Sequence, residues 1–149
     1  MTIASAVCSS FKTEVLRAVH NFTQGGNEFK LALYVSSANL GATTTAYATN
    51  PGGGGNTEVA NGNGYTTKGA ALTNVTPALD GTVACCDFAD VSFTSASFTA
   101  NGCLIYNETA GGDPAVCSIA FGGDKTVSSG TFTIQFPAAS ASAAILRIA

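Results

Sequence analysis

Charge is scarce in this chain. Only 10% of its 149 residues are Asp, Glu, Lys or Arg, against about 25% in an ordinary globular protein. The outer surface must therefore be built largely from Ser, Thr, Asn, Gly and Ala. Such a surface suits a molecule that lies against neighbours better than one that stands alone. The net charge is −3, and Lys12, Arg17, Lys30, Lys68, Lys125 and Arg147 are scattered. Without a basic cluster to neutralise phosphates, no direct nucleic-acid binding is expected, and no polybasic membrane contact. No apolar run approaches the length of a membrane span. Residues 1–8 lack a positive leading region and are not read as a signal peptide.

Chemistry-bearing residues are also few. Tryptophan is absent and histidine occurs once, as His20. A Ser-His-Asp arrangement would have to use that residue; its position at an expected helix end gives it a structural role instead, where a cation meets the helix dipole. Five cysteines are present, Cys8, Cys85, Cys86, Cys103 and Cys117. None forms a C-x-x-C pair, so no zinc site is expected. Cys85 and Cys86 are adjacent and point to opposite faces of a strand as small apolar fillers. A Cys103–Cys117 disulfide across a hairpin is conceivable, but nothing indicates an oxidising compartment. Asp87 and Asp90 are the one carboxylate pair worth weighing for glycoside hydrolysis or calcium; carboxylates capping backbone amides in a turn are the better reading. Gly52 to Gly55 lack the Lys-Ser/Thr of a phosphate loop. The Asn-x-Thr triplets at Asn21, Asn74 and Asn107 are ordinary in a chain rich in both residues. No enzyme signature, metal or cofactor is expected.

What is plentiful is strand pattern. Residues 131–136 put Phe132, Ile134 and Phe136 on one face and Thr131, Thr133 and Gln135 on the other, the period of two of a half-buried strand. The same reading predicts strands at 28–35, 70–73, 75–79, 83–88, 91–93, 96–106, 115–121, 125–127 and 145–148, with a short one possible at 57–60. Asp80-Gly81 marks a hairpin. Gly111-Gly112-Asp113 and Gly122-Gly123-Asp124 mark two further breaks, and Asn101-Gly102 a bulge or corner. One helix precedes the strands. Ser9 or Ser10 caps it and Glu14 stands in its first turn. Phe11, Val15, Leu16 and Val19 form its stripe, and His20 and Asn21 end it before the turn at Gly25-Gly26-Asn27. Residues 43–68, with Asn50-Pro51 and four glycines followed by Asn61-Gly62-Asn63-Gly64, read as an excursion that projects from the body. These elements predict a single all-β domain over 1–149: a β-sandwich with one short N-terminal helix, its arm and helix within 1–22.

Two blocks of the chain carry a resemblance. The first is Cys8-Ser9-Ser10-Phe11-Lys12, Glu14-Val15-Leu16 and Val19-His20-Asn21-Phe22, with Phe29-Lys30-Leu31-Ala32-Leu33-Tyr34 and Ser36-Ser37-Ala38. The second is Gly64-Tyr65, Lys68-Gly69, Leu72-Thr73-Asn74-Val75, Asp87-Phe88, Leu104-Ile105-Tyr106-Asn107, Phe121-Gly122-Gly123-Asp124-Lys125 and Phe132-Thr133-Ile134-Gln135-Phe136-Pro137. Together, over residues 8–148, they resemble small virion proteins of tailed phages, and are similar to the cement (decoration) proteins on the heads of some short-tailed phages. The resemblance implies a jelly-roll-like sandwich without catalytic or cofactor residues. It also implies a protein made in the bacterial cytoplasm that docks on the outer capsid surface over joints between major capsid protein subunits. Self-association comes with it, as a homodimer first and a trimer second. The run 50–56 is longer than the resemblance leads one to expect, and Cys85-Cys86 stands where bulkier residues are expected.

The contact is expected on the N-terminal arm (Thr2, Ile3, Val7), the helix stripe (Phe11, Val15) and the excursion (Tyr47, Tyr65). The alternative function is a tail, fibre or spike module that binds a receptor or glycan through exposed Tyr47 and Tyr65. A secreted carbohydrate-active enzyme would depend on Asp87 and Asp90.

Overall fold

Alternation in the sequence becomes two antiparallel sheets. A computed structural model describes residues 1–149, with strands β1 (Ala6–Val7), β2 (Phe29–Tyr34), β3 (Ala70–Ala71), β4 (Asn74–Asp80), β5 (Val83–Phe88), β6 (Val91–Asn107), β7 (Ala115–Ile134) and β8 (Leu146–Ile148). The single helix, α1, spans Ser9–Leu16. One sheet has the order β1-β7-β6-β2-β3 and the other β4-β5-β8. This is an all-β sandwich with one short helix, as expected. The sheets hold five and three strands, and the longest strands, β6 and β7, are joined directly as a hairpin.

That hairpin replaces five shorter strands of the sequence reading. The glycines at 122 and 123 do not end a strand; they let one strand bulge. Ala100 pairs with Lys125 and Gly102 with Ala120, so Asn101 alone faces four residues, 121–124, on β7. Gly122 and Gly123 take φ of +74° and +139° there, a backbone that side-chain-bearing residues adopt only at a cost. Asn101 Nδ2 donates to Asp124 Oδ1 at 2.8 Å across the bulge. Smaller irregularities near Ser95 and Ser129, both with positive φ, add further twist. The expected bulge at Asn101-Gly102 is present, and Asp80-Gly81 does turn β4 into β5.

The helix is shorter than its stripe predicted. Ala18 takes φ +59°, the left-handed conformation that closes a helix. Val19 N–H donates to the Glu14 carbonyl at 3.0 Å and Ala18 N–H to the Val15 carbonyl at 3.2 Å, the paired bonds of a Schellman end. Val19 and His20 thus lie beyond the helix. Cys8, not a serine, is the N-cap, and no side chain caps it; Glu14 stands outside the first turn. Only Phe11 of the stripe is fully buried, while Leu16 is 87% exposed.

Phe11 anchors a line of aromatic rings through the core. Phe22 and Phe29 stack at 4.4 Å, Phe29 meets Phe88 at 5.6 Å, and Phe88 meets Phe136 at 6.1 Å. These rings tie the helix region to both sheets. Burying one such side chain stabilises the fold by about 1.5–3 kcal/mol.

Residues 43–68 do not project. They fold back along the free side of β2. Val35 N–H donates to the Thr57 carbonyl at 3.0 Å and Val59 N–H to the Leu33 carbonyl at 2.9 Å, with a bridge between Tyr34 and Glu58. Thr57, Glu58, Val59 and Tyr65 are buried; the exposed stretches are the run 52–56 and the turn 60–64. β2 is consequently covered on both faces, which is why Ala32 and Tyr34 are as inaccessible as Leu31 and Leu33.

Candidate docking surface

The titratable groups of the chain are largely engaged inside it. Glu58 is buried, and its carboxylate accepts hydrogen bonds from the Tyr47 hydroxyl, the Tyr65 hydroxyl and the Lys68 N–H, each at 2.7 Å. Tyr65 Oη also accepts from Leu33 N–H at 3.0 Å. Tyr106 donates to the Lys68 carbonyl at 2.7 Å and Tyr34 to the Ala48 carbonyl at 2.8 Å. Burial first, then the nearby Glu58 carboxylate, raises Tyr34, Tyr47 and Tyr65 above the usual phenol range; burial and then Glu108 raise Tyr106. All four tyrosines thus pin residues 45–69 to the sheet. At the rim, Lys68 Nζ lies 3.2 Å from Asp113 and 3.5 Å from Glu108, and Lys30 Nζ lies 2.9 Å from Glu108. The Lys30 hydrogen bond holds the Glu108 carboxyl below its ordinary value.

His20 has a comparable internal role. Asn107 Oδ1 accepts from the N–H groups of Thr109 and Ala110, which fixes its amide so that Nδ2 faces His20 Nδ1 at 3.2 Å. Nδ1 is therefore the acceptor, and Nε2–H donates to Glu14 at 2.9 Å. The ring packs 4.9 Å from Phe11. It is a core histidine that ties α1 to the end of β6, and it lies beyond the helix terminus rather than on it. Asp87 accepts from Phe88 N–H at 2.8 Å and Asp90 from Phe136 N–H at 2.9 Å, so both carboxylates serve the backbone.

The five thiols are free and buried. Cys103 pairs with Ile119 and Cys117 with Ile105, so the two are diagonal neighbours, about 7–8 Å apart between backbones, beyond disulfide reach without movement. Cys86 joins the main core, whereas Cys85 does not and borders a small hollow on the other face beside Ala139. Burial pushes Cys8 up to about 11 and Cys86 and Cys117 up to about 12, and raises Cys103 well above the thiol range. Native protein at pH 8 is therefore expected to resist iodoacetamide at Cys8, Cys86, Cys103 and Cys117, and to take up five labels once unfolded in guanidinium, as read by peptide and intact mass. Labelling of any of these four within minutes in the native state would contradict this packing.

One surface feature stands apart. An open trough of about 750 Å3 runs beside the sheet edge at β1. Ser5, Ala6 and Val7 form one lip. Ile119, Phe121, Phe132, Ile134 and Phe136 supply apolar walls, and Ile145, just before β8, lies opposite. The trough follows from the unequal sheets: three strands cannot cover five, and the strip at β7 and β1 is left open. Lys125 is the only charged residue in its lining, and no carboxylate pairs with it. A volume within about 300–1,000 Å3 and a mostly apolar wall are the usual properties of a binding concavity.

The residues expected at an interface divide accordingly. Val7, 36% exposed, lines the trough. Thr2 is exposed and Val15 half-buried. Ile3, Phe11 and Tyr65 are buried in the chain's own core, so they offer no surface to a partner; Ile3 is held by the bridge to Leu40. Tyr47 is half-buried, stacked on Tyr106 at 4.8 Å and bonded to Glu58. Sequence reasoning missed the trough itself. Its one legible trace was the alternation at 131–136, which supplies Phe132, Ile134 and Phe136. No family model matches the chain, no curated protein matches it, and no solved structure matches it.

Proposed function

We propose that this chain is a non-enzymatic virion protein, a cement protein that binds the outer surface of a phage head and bridges major capsid protein subunits. The observation that carries the reading is the open apolar trough beside β1 and β7, on a molecule with few charged residues. A contact of that kind suits adhesion to a partner. The titratable clusters, by contrast, are tied into the protein's own packing. The sequence resemblance points the same way. Tyr47 and Tyr65, on which a receptor- or glycan-binding platform would rest, are engaged with Glu58, and that removes the best candidates for the fibre or spike reading.

The mechanism is mass action. A protein that binds assembled shell and not separated subunits stabilises the shell by the free energy of binding, and many copies that each touch two subunits add avidity. Copies of this chain, as dimers or trimers, would multiply the bridges. Heads stripped of this protein and then heated are expected to release DNA at a lower temperature than complete heads, and to recover when purified protein is added back. Identical release curves would end the proposal.

A further inference from the structure

We propose that His20 is an acid-released latch: its ring joins residues 9–27 to the end of β6, and a proton on Nδ1 breaks that joint. The inference concerns the fold's own response to pH and holds whether or not the chain coats a phage head.

Donors and acceptors around the ring fit in one arrangement. Asn107 Oδ1 accepts from the N–H groups of Thr109 and Ala110 at 3.1 and 3.2 Å. Its Nδ2 therefore faces the Val19 carbonyl, Asn27 Oδ1 and His20 Nδ1, at 3.3, 3.0 and 3.2 Å. Asn27 Oδ1 also accepts from Asn21 N–H at 2.8 Å, so that amide is fixed too. A proton arriving on Nδ1 meets an NH2 group. Turning the Asn107 amide to offer its oxygen sets Nδ2 against two backbone N–H groups and Oδ1 against two oxygens. Bulk water cannot serve instead, because the His20 side chain is 0% exposed. The rings of Phe11, Phe22 and Phe29 surround it at 4.9, 6.1 and 6.2 Å. A buried donor without an acceptor is costly, and more so when it carries charge.

Glu14 is the charged group that touches the ring, and it opposes release. It already accepts from Nε2–H at 2.9 Å, however, and its side chain is partly open to water, which weakens its pull on an added charge. Cys8, near Glu14, keeps its proton, being pushed up to about 11. At the end of the sheet Glu108 pairs with Lys30 at 2.9 Å, which holds its carboxyl below the ordinary value. Lys12, Arg17 and Glu28 are exposed, and residues 21–27 carry no charge. Acid favours whichever state takes up the proton. Here that is the opened one, so the latch holds at neutral pH and lets go as the pH falls through the range in which histidines titrate.

The test uses the whole chain, in which His20 is the only histidine. Urea titrations are expected to show an unfolding equilibrium constant about tenfold larger at pH 5.0 than at pH 7.5. His20→Gln, which gains no proton in this range, is expected to change less than about twofold between the same two values. In the unaltered protein, backbone amide resonances of residues 9–27 should move along the same titration curve as the imidazole Cε1–H, while those of β5 stay in place. Equal stability at the two pH values overturns the latch. So does greater stability in acid, the result expected if the pull of Glu14 prevails, and so does a pH dependence that survives His20→Gln. Should that variant fail to fold, the resonances decide: an imidazole that titrates while residues 9–27 stay still also overturns it.

Discussion

Replacing Glu58 with alanine is expected to remove about 4 kcal/mol of unfolding free energy. The carboxylate is buried and accepts three hydrogen bonds. Its loss leaves the buried Tyr65 hydroxyl and the partly buried Tyr47 hydroxyl and Lys68 N–H without their acceptor. Each buried donor left without a partner costs about 1–3 kcal/mol, partly offset where a hydroxyl can turn to another acceptor. The effect should be local before it is global. Residues 57–59 hold the free side of β2 through the Val35 and Val59 amides, so these amides should exchange faster in the variant. Glu58→Gln keeps one acceptor oxygen and is expected to lose about half as much. Urea titrations with an unchanged slope measure both. A loss below about 1 kcal/mol for the alanine variant would mean that the tyrosine cluster does not hold this segment.

The second large effect is expected at Gly69. Its φ is +80°, and a Cβ there would collide with the Leu31 carbonyl oxygen and lie 2.7 Å from Ala32 Cα. The obstacle is backbone, held on one side by β6 and on the other by β3, so nothing can swing aside. Gly69→Ala is expected to cost about 2–5 kcal/mol, combining the left-handed penalty of about 1–2 kcal/mol with overpacking of about 1–3 kcal/mol. Gly53 separates the two contributions. It has nearly the same φ, +77°, with nothing within 4 Å of its added Cβ. Gly53→Ala should therefore show the conformational penalty alone. Equal melting temperatures for the two variants would refute the close approach of residue 69 to β2.

Several elements were legible in the residues themselves. β5 falls at 83–88 as its apolar run indicated, and β4 joins it through the Asp80-Gly81 turn. These contacts are local, and turn chemistry is a local property. The failures share a different cause. Period-two patterning tells one face of a strand from the other, but it does not show that a distant segment will cover the second face. Residues 43–68 therefore read as a free excursion, although Tyr65 and Glu58 close over β2. Gly122-Gly123 reads as a stop because glycine ends strands and also bulges them; only the partner strand, with Asn101 opposite four residues, decides which. The helix stripe reads one turn too far because nothing in Arg17-Ala18 announces a left-handed alanine. At the trough, single residues were readable and their assembly was not. Phe121, Phe132 and Ile145 converge through long-range pairing, and the gap between them depends on the difference in width of two sheets.

The partnership of β1 with β7 dictates when this polypeptide can become itself. Ala4 and Ser118, joined by a hydrogen bond, are 114 positions apart, and β2 must wait for β6. On the ribosome the β7 side of β1 and the β6 side of β2 have no partner until most of the message has been read. Acquisition of the native topology is thus a late, nearly concerted event, slow by the standards of locally connected folds. A nascent chain halted before β7 would carry naked ladders, fit for rescue by chaperones or for clumping.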